Sequence, residues 1–205
     1  MQVDGTDGID NSWGDNLMPI LTTIFGANLS TQYNAAVNGG AFTTMIDVTG
    51  LNGMPSQTGS APGWGFAGAQ FPGTPTWTPA DDWPVYPDWL DDGGLASGSK
   101  IAFPSASVDG GCWSSGTPTD LPFELSIGVE VVIHHATVSF IHATPTTAQT
   151  GTIAGTLYTQ ELIDAFARAA GWISPSLCNE SAFSSIAAEI RQAQDILHDG
   201  TNASG

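Results

Sequence analysis

The chain has 205 residues and a mass of 21.2 kDa, enough to bury a hydrophobic core of ordinary size. Its 41% hydrophobic content, with 25 Gly and 13 Pro, is that of a turn-rich globular protein rather than a disordered chain. Twenty acids face only three bases, Lys100, Arg168 and Arg191, for a net charge of −17. That balance excludes a surface that neutralises phosphates, so no nucleic-acid partner is expected. It also argues against anionic membranes and acidic polysaccharides unless a cation bridges. The acids are ordinary in number and the bases are depleted, because charged residues of both signs usually make up about a quarter of a chain. Fifteen of the 20 acids are Asp, a residue that bonds to nearby backbone and favours loops and turns.

Residues 1–16, MQVDGTDGIDNSWGDN, are dense in Asp, Asn and Gly and carry no apolar period, which predicts a loop. Leu17, Met18, Ile20, Leu21, Ile24 and Phe25 then recur at helical spacing, with Asp15 or Asn16 as the cap, Pro19 in the first turn and Gly26 as the stop. A second short helix is predicted over Ser30–Asn38, ended by Gly39 and Gly40, and a strand over Ala41–Val48. From Thr49 to Ser99 the chain is rich in Gly, Pro and Trp without a period, which predicts short strands joined by long loops. Strands follow at Ile101–Phe103, Leu121–Val132, Ile133–Ala143 and Gly151–Tyr158, rich in β-branched and aromatic residues. The period then changes. Leu162, Ile163, Phe166 and Ala170 mark one helix, and Phe183, Ile186, Ile190, Ala193 and Leu197 a longer one. These elements predict a mainly β protein, an antiparallel β-sandwich or barrel-like sheet with helices at the N- and C-terminal ends. The expected organisation is the 1–16 loop, one globular domain over 17–198 and a tail over 199–205.

Cys112 and Cys178 leave two states open, one disulfide closing a 66-residue interval or two free thiols. No apolar run reaches the roughly 18 residues of a spanning helix, so direct membrane insertion is not expected. No signal-peptide core follows Met1, so an exported form is expected to have shed its leader.

The strongest local signal is in the opening segment. Asp4, Asp7 and Asp10 recur every third residue, Asn11, Asp15 and Asn16 follow, and Gly5, Gly8 and Gly14 lie between them. Calcium takes six to eight hard oxygens, and glycines allow the tight winding that turns several of them inward. The set Asp4, Asp7, Asp10, Asn11 and Asp15 is therefore the candidate Ca2+ site, although the spacing is not that of an EF-hand. The competing reading is a solvated segment that uses Asp and Asn as caps.

A second signal is the stretch of Trp64, Phe66, Phe71, Trp77, Trp83, Tyr86 and Trp89, threaded with prolines and with Asp81, Asp82, Asp88, Asp91 and Asp92. A flat ring covers the C–H face of a sugar while a carboxylate accepts from its hydroxyls, and an uncharged ligand suits a chain poor in bases. Trp77, Trp83 and Trp89, with Asp82 and Asp88, are the candidate ligand-binding residues. The competing reading is a lid of aromatics packed over the sheet. No catalytic residue can be named. Glu124 and Glu130 lie at even spacing on one strand run and thus share a face, whereas His134 and His142, also on one face, are too far apart for a single metal. No G-x-S-x-G, G-x-G-x-x-G or P-loop occurs.

The segments DGTDGIDNSWGDNLMPIL, DDWPVYPDWL, GTIAGTLYTQELIDAF and SIAAEIRQAQDILHDGT resemble those of uncharacterised secreted lipoproteins of the myxobacterial type. The DGIDN element is also similar to the DG-x-DN segments of Asp-rich metal-binding repeats, whose accompanying cysteines are absent here. The resemblance implies location rather than reaction: secreted, periplasmic or cell-surface, with a chain that continues beyond Gly205. It marks Asp4, Asp7, Asp10 and Asn11 as metal ligands. The leading expectation is an extracellular, calcium-stabilised binding module for a neutral glycan or a surface partner, rather than an enzyme. The alternatives are a glycan-active hydrolase or lyase using loop carboxylates, and a structural surface lipoprotein without a small ligand. The oligomeric state is left open.

Overall fold

A computed structural model describes residues 13–26, 28–126, 129–144, 147–173 and 175–195. The chain groups into two units, one formed by residues 1–34 with 159–205 and the other by residues 35–158. Among the described residues no helix is long and apolar enough to cross a membrane.

The first unit is helical. Trp13–Leu17 forms a single π turn that leads directly into α1, Met18–Phe25. Asp15 and Asn16 therefore lie inside a helical turn instead of capping one. Pro19 lies in the first turn of α1, and Gly26, at φ +92, ends the helix. Helix α2, Leu29–Asn38, follows and crosses into the other unit after Asn34. Helices α3, Thr159–Ile173, and α4, Glu180–Gln192, complete the unit. Leu162, Ile163, Phe166, Ala169 and Ala170 form the buried stripe of α3, at the spacing that places one helix face on a core. Asn179 caps α4, its Oδ1 accepting from the N–H and the hydroxyl of Ser181 at 3.0 and 2.7 Å. Arg191 donates to Gln160 Oε1 at 3.2 Å.

The second unit is β. Strands β1, Thr43–Val48, β2, Gly63–Gly68, and β3, Ile101–Phe103, form a three-stranded antiparallel sheet in that order. The five-stranded sheet comprises β4, Ser107–Asp109, β5, Cys112–Ser114, β6, Thr119–Ser126, β7, Val129–Thr144, and β8, Thr147–Leu157. The 16-residue β7 is its spine, pairing antiparallel with β5, β6 and β8. The protein is thus mainly β with antiparallel sheets and flanking helices, in a β-sandwich arrangement. The break between the two long strands lies before Val129, not between Val132 and Ile133, because an unbroken β-branched run marks a buried strand but not where the chain reverses.

Phe103, Ala61, Ala106, Val108, Trp113, Leu121, Ala136 and Val138 make the buried core, with Ile46, Val48, Ile133, Phe140 and Ile153 packed against it. At its centre Trp113 is 0% exposed. Its Nε1 donates to Ala61 O at 2.9 Å, its ring stacks on Phe140 at 4.9 Å, and Phe103 meets it edge-on at 5.8 Å. A Cβ on Gly63 would lie 2.7 Å from Asp47 O and 3.3 Å from Trp113 Cζ2, so the bare backbone is what lets the two sheets close here. Cys112 and Cys178 are both free thiols.

A bulge at His135, whose φ is +50, resets the alternation of β7. Val129, Val131 and Ile133 point inward before it, and Ala136, Val138 and Phe140 after it. His142 consequently turns into the core, 6% exposed, and neither of its ring nitrogens meets a hydrogen-bond partner among the described residues. His134 faces the other way, so the two histidines do not share a face.

Candidate ligand-binding site

The site is built outward from the end of β2. Gly68, its last residue, bridges to Val85, while Ala69 N–H donates to Pro84 O at 2.8 Å and Tyr86 N–H to Ala67 O at 3.1 Å. These bonds fasten the Trp83–Tyr86 segment to the sheet as an extra length of edge. Trp83 lies over Gly68, where a Cβ would sit 3.2 Å from its Cε3. Phe71 is fixed on the other side, its N–H donating to Gly40 O at 2.7 Å. Gly40 has φ +82, and a Cβ there would come within 2.9 Å of Phe71 Cβ and 3.0 Å of Pro75 Cδ. Only glycine satisfies both the backbone and the close approach.

On this base the rings rise in series. Phe71 and Trp83 have centroids 4.9 Å apart, and Trp83 and Trp77 5.4 Å apart, both tilted by about 45°. Trp77 is 49% exposed and has φ +56, a conformation that bulky residues rarely adopt. Asp81 holds it there. Its Oδ2 accepts from the N–H of Trp77 at 2.6 Å and of Thr78 at 3.3 Å, while Oδ1 accepts from the Thr76 hydroxyl at 2.8 Å. Desolvation raises the Asp81 pKa, but the Thr76 hydroxyl and the N–H groups of Thr76, Thr78 and Trp77 together outweigh it and hold the carboxyl below its ordinary value. An exposed aromatic in a left-handed turn, fixed by an ionised carboxylate, is held in one backbone geometry in advance of any contact.

Trp77 and Trp83 are thus brought together, and Asp82 stands exposed on the same loop. Trp89 and Asp88 belong to the next segment, a one-turn helix over Pro87–Trp89. Trp89 is half-buried, its carbonyl accepting from Lys100 N–H at 2.9 Å and from Ser99 Oγ at 3.1 Å, while Lys100 Nζ donates to Asp88 O at 2.7 Å. The Asp88 carboxylate is exposed. Of the metal candidates, Asp4, Asp7, Asp10 and Asn11 lie outside the described residues, and Asp15 is exposed in the π turn. Among the described residues no group of three or more His, Cys, Asp and Glu side chains converges.

Two further polar groups lie on the outer face of the five-stranded sheet. Glu124 and Glu130 stand on different strands, β6 and β7, directly opposite one another. Burial and the negative charges of Glu124 and Glu130 raise the Tyr86 phenol pKa, which brings that residue within their field. At the β7 bulge, Asp120 accepts from His135 N–H at 3.1 Å and lies 3.2 Å from His134 Nδ1, whose ring stacks on Tyr158 at 3.8 Å. The His135 N–H is the main force lowering the Asp120 pKa, assisted by His134 and opposed by desolvation. Sequence reasoning missed Asp81 as the anchor and Phe71 and Gly40 as the foundation, although the Thr-Pro and Pro-Gly pairs around them signalled tight turns. No protein-family model, curated protein or solved structure matches the chain.

Proposed function

We propose that the protein is an exported binding module whose ligand is a neutral carbohydrate, docked on the face made by Trp77 and Trp83. The observation that carries this reading is Trp77, half exposed in a left-handed backbone that Asp81 fixes. Burial alone does not account for that geometry, because about half the residue remains in water. A ring held out in this way offers its face to the C–H side of a sugar at little ordering cost. Asp82 stands beside it to accept from hydroxyls, with Trp89 and Asp88 on the neighbouring segment as secondary contacts. The scarcity of bases agrees with an uncharged ligand. Calcium belongs to this reading through the Asp-rich opening. Millimolar calcium is expected to raise the melting temperature over that in chelator, and an unchanged melt would remove the metal from it. The sugar claim is tested by titrating the 205-residue chain with a panel of neutral oligosaccharides. Binding that Trp77→Ala weakens at least about tenfold, roughly the loss of 1.4 kcal/mol, supports it, and a blank panel overturns it.

A second reading, glycan hydrolysis, is favoured by the cross-strand pairing of Glu124 with Glu130. Directly opposed residues have Cβ atoms about 4.5–5.5 Å apart, within range of a carboxylate pair that spans a glycosidic bond. The carboxylate of Asp81 is less suited to such chemistry because it is committed to its turn. Turnover abolished by Glu130→Gln would establish this reading, and no turnover on the same panel would remove it.

A further inference from the structure

Strand β8 is unlike every other edge of the two sheets. It runs for 11 residues, TAQTGTIAGTL, and pairs with β7, while no other described strand borders it. Residues 147–152, 154 and 155 are exposed, so the strand lies open along most of its length. It contains no charged residue and no proline. The other edges are guarded in the ways by which sheets avoid edge pairing. Strand β1 carries Asp47, β3 and β4 are three residues long with Asp109 closing β4, and β6 carries Asp120, Pro122 and Glu124.

We propose that β8 is a self-association edge, with two copies of the chain pairing β8 to β8 antiparallel and joining their five-stranded sheets into one. The choice of a second copy rests on charge. In a chain of net charge −17, pairing through β1, β4 or β6 brings carboxylates into the seam, and like charges directly opposed are destabilising. A β8 to β8 seam brings none. The register follows from the backbone. Thr150 has φ +54 and marks a bulge in β8, whereas the register shift opposite Ala154–Thr156 has its extra residue on β7 at His135, which leaves Gly151–Leu157 as the stretch of β8 without a bulge of its own. Antiparallel pairing of two such stretches puts Ala154 on the two-fold axis, facing its own copy. Its neighbour Ile153 packs on the core, so the exposed Ala154 side chain points away from it.

The test is the mass of the 205-residue chain by light scattering and sedimentation over a range of concentrations. The expected species is a dimer of twice 21.2 kDa that dissociates on dilution. Ala154→Asp places two carboxylates against each other on the axis and is expected to weaken the dimer at least about tenfold. Ala154→Lys is expected to do the same, while an equimolar mixture of the two variants restores a dimer, because opposite charges then meet. That restoration separates the seam from misfolding. A wild-type chain that stays monomeric overturns the proposal, as does a dimer indifferent to both variants or a mixture that fails to re-form it.

Discussion

Two tryptophans in the β unit are held by opposite means. Trp113 is fixed by what surrounds it: its ring is sealed between Phe103 and Phe140 and its indole N–H is bonded to Ala61 O. Trp77 is fixed by what lies beneath its backbone: the Asp81 carboxylate gathers the N–H groups of residues 77 and 78 and leaves half the ring in water. The first side chain stabilises the fold through its burial. The second keeps about half its surface in water, where a ligand could meet it. The difference teaches that aromatic content alone does not distinguish a ring that fills a core from one held at the surface by its backbone, whereas the origin of the constraint does.

Breaking the two anchors should therefore have unlike consequences. Trp113→Ala is expected to cost about 3–5 kcal/mol of stability in denaturant unfolding, since it empties the centre of the sandwich. Gly40→Ala comes next, at about 1–3 kcal/mol, because a methyl group at φ +82 meets Phe71 and Pro75; the same variant should reduce ligand binding by disturbing the base of the platform. His142→Leu should act in the opposite direction and stabilise by about 1–2 kcal/mol, as it replaces a buried ring whose two nitrogens find no partner among the described residues. Trp77→Ala should cost less, about 0.5–1.5 kcal/mol, the worth of a ring pair such as the one it makes with Trp83. A larger loss would show that Trp77 belongs with Trp113 after all.

The smallest effect is with pH. The Asp81 pKa lies below its ordinary 3.8 in the folded chain, so its contribution is complete above that value and is lost as the pH falls through the depressed one. Tryptophan emission from the native protein should shift in that acid range. Asp81→Asn should abolish the shift, without a measurable change in the neutral-pH melting curve, because the group is screened by water.

The sequence made the regular elements legible where period and composition agreed. The α3 stripe, the Pro19 start and Gly26 stop of α1, and the β-branched run of β7 could all be read, because each is a local preference that the fold keeps. The middle could not. In β2, GWGFAG, glycine occupies the positions that face the core, so close packing removed the alternation that would have announced a strand. The His135 bulge was equally hidden, since one extra residue reverses the facing of everything after it without altering composition. At the site, the grouping of Trp and Asp was visible, but the division of labour was not. Asp81 and Asp82 are adjacent and chemically identical, and only the folded turn gives one the role of anchor and leaves the other exposed.

The most direct test of the account is isothermal titration of neutral oligosaccharides into the wild-type chain and into Trp77→Ala, each shown to be folded by its unfolding curve. The account expects saturable heat with the wild type and at least about a tenfold loss of affinity in a variant that remains folded. Equal affinity in both proteins, or no heat with any member of the panel, would contradict it.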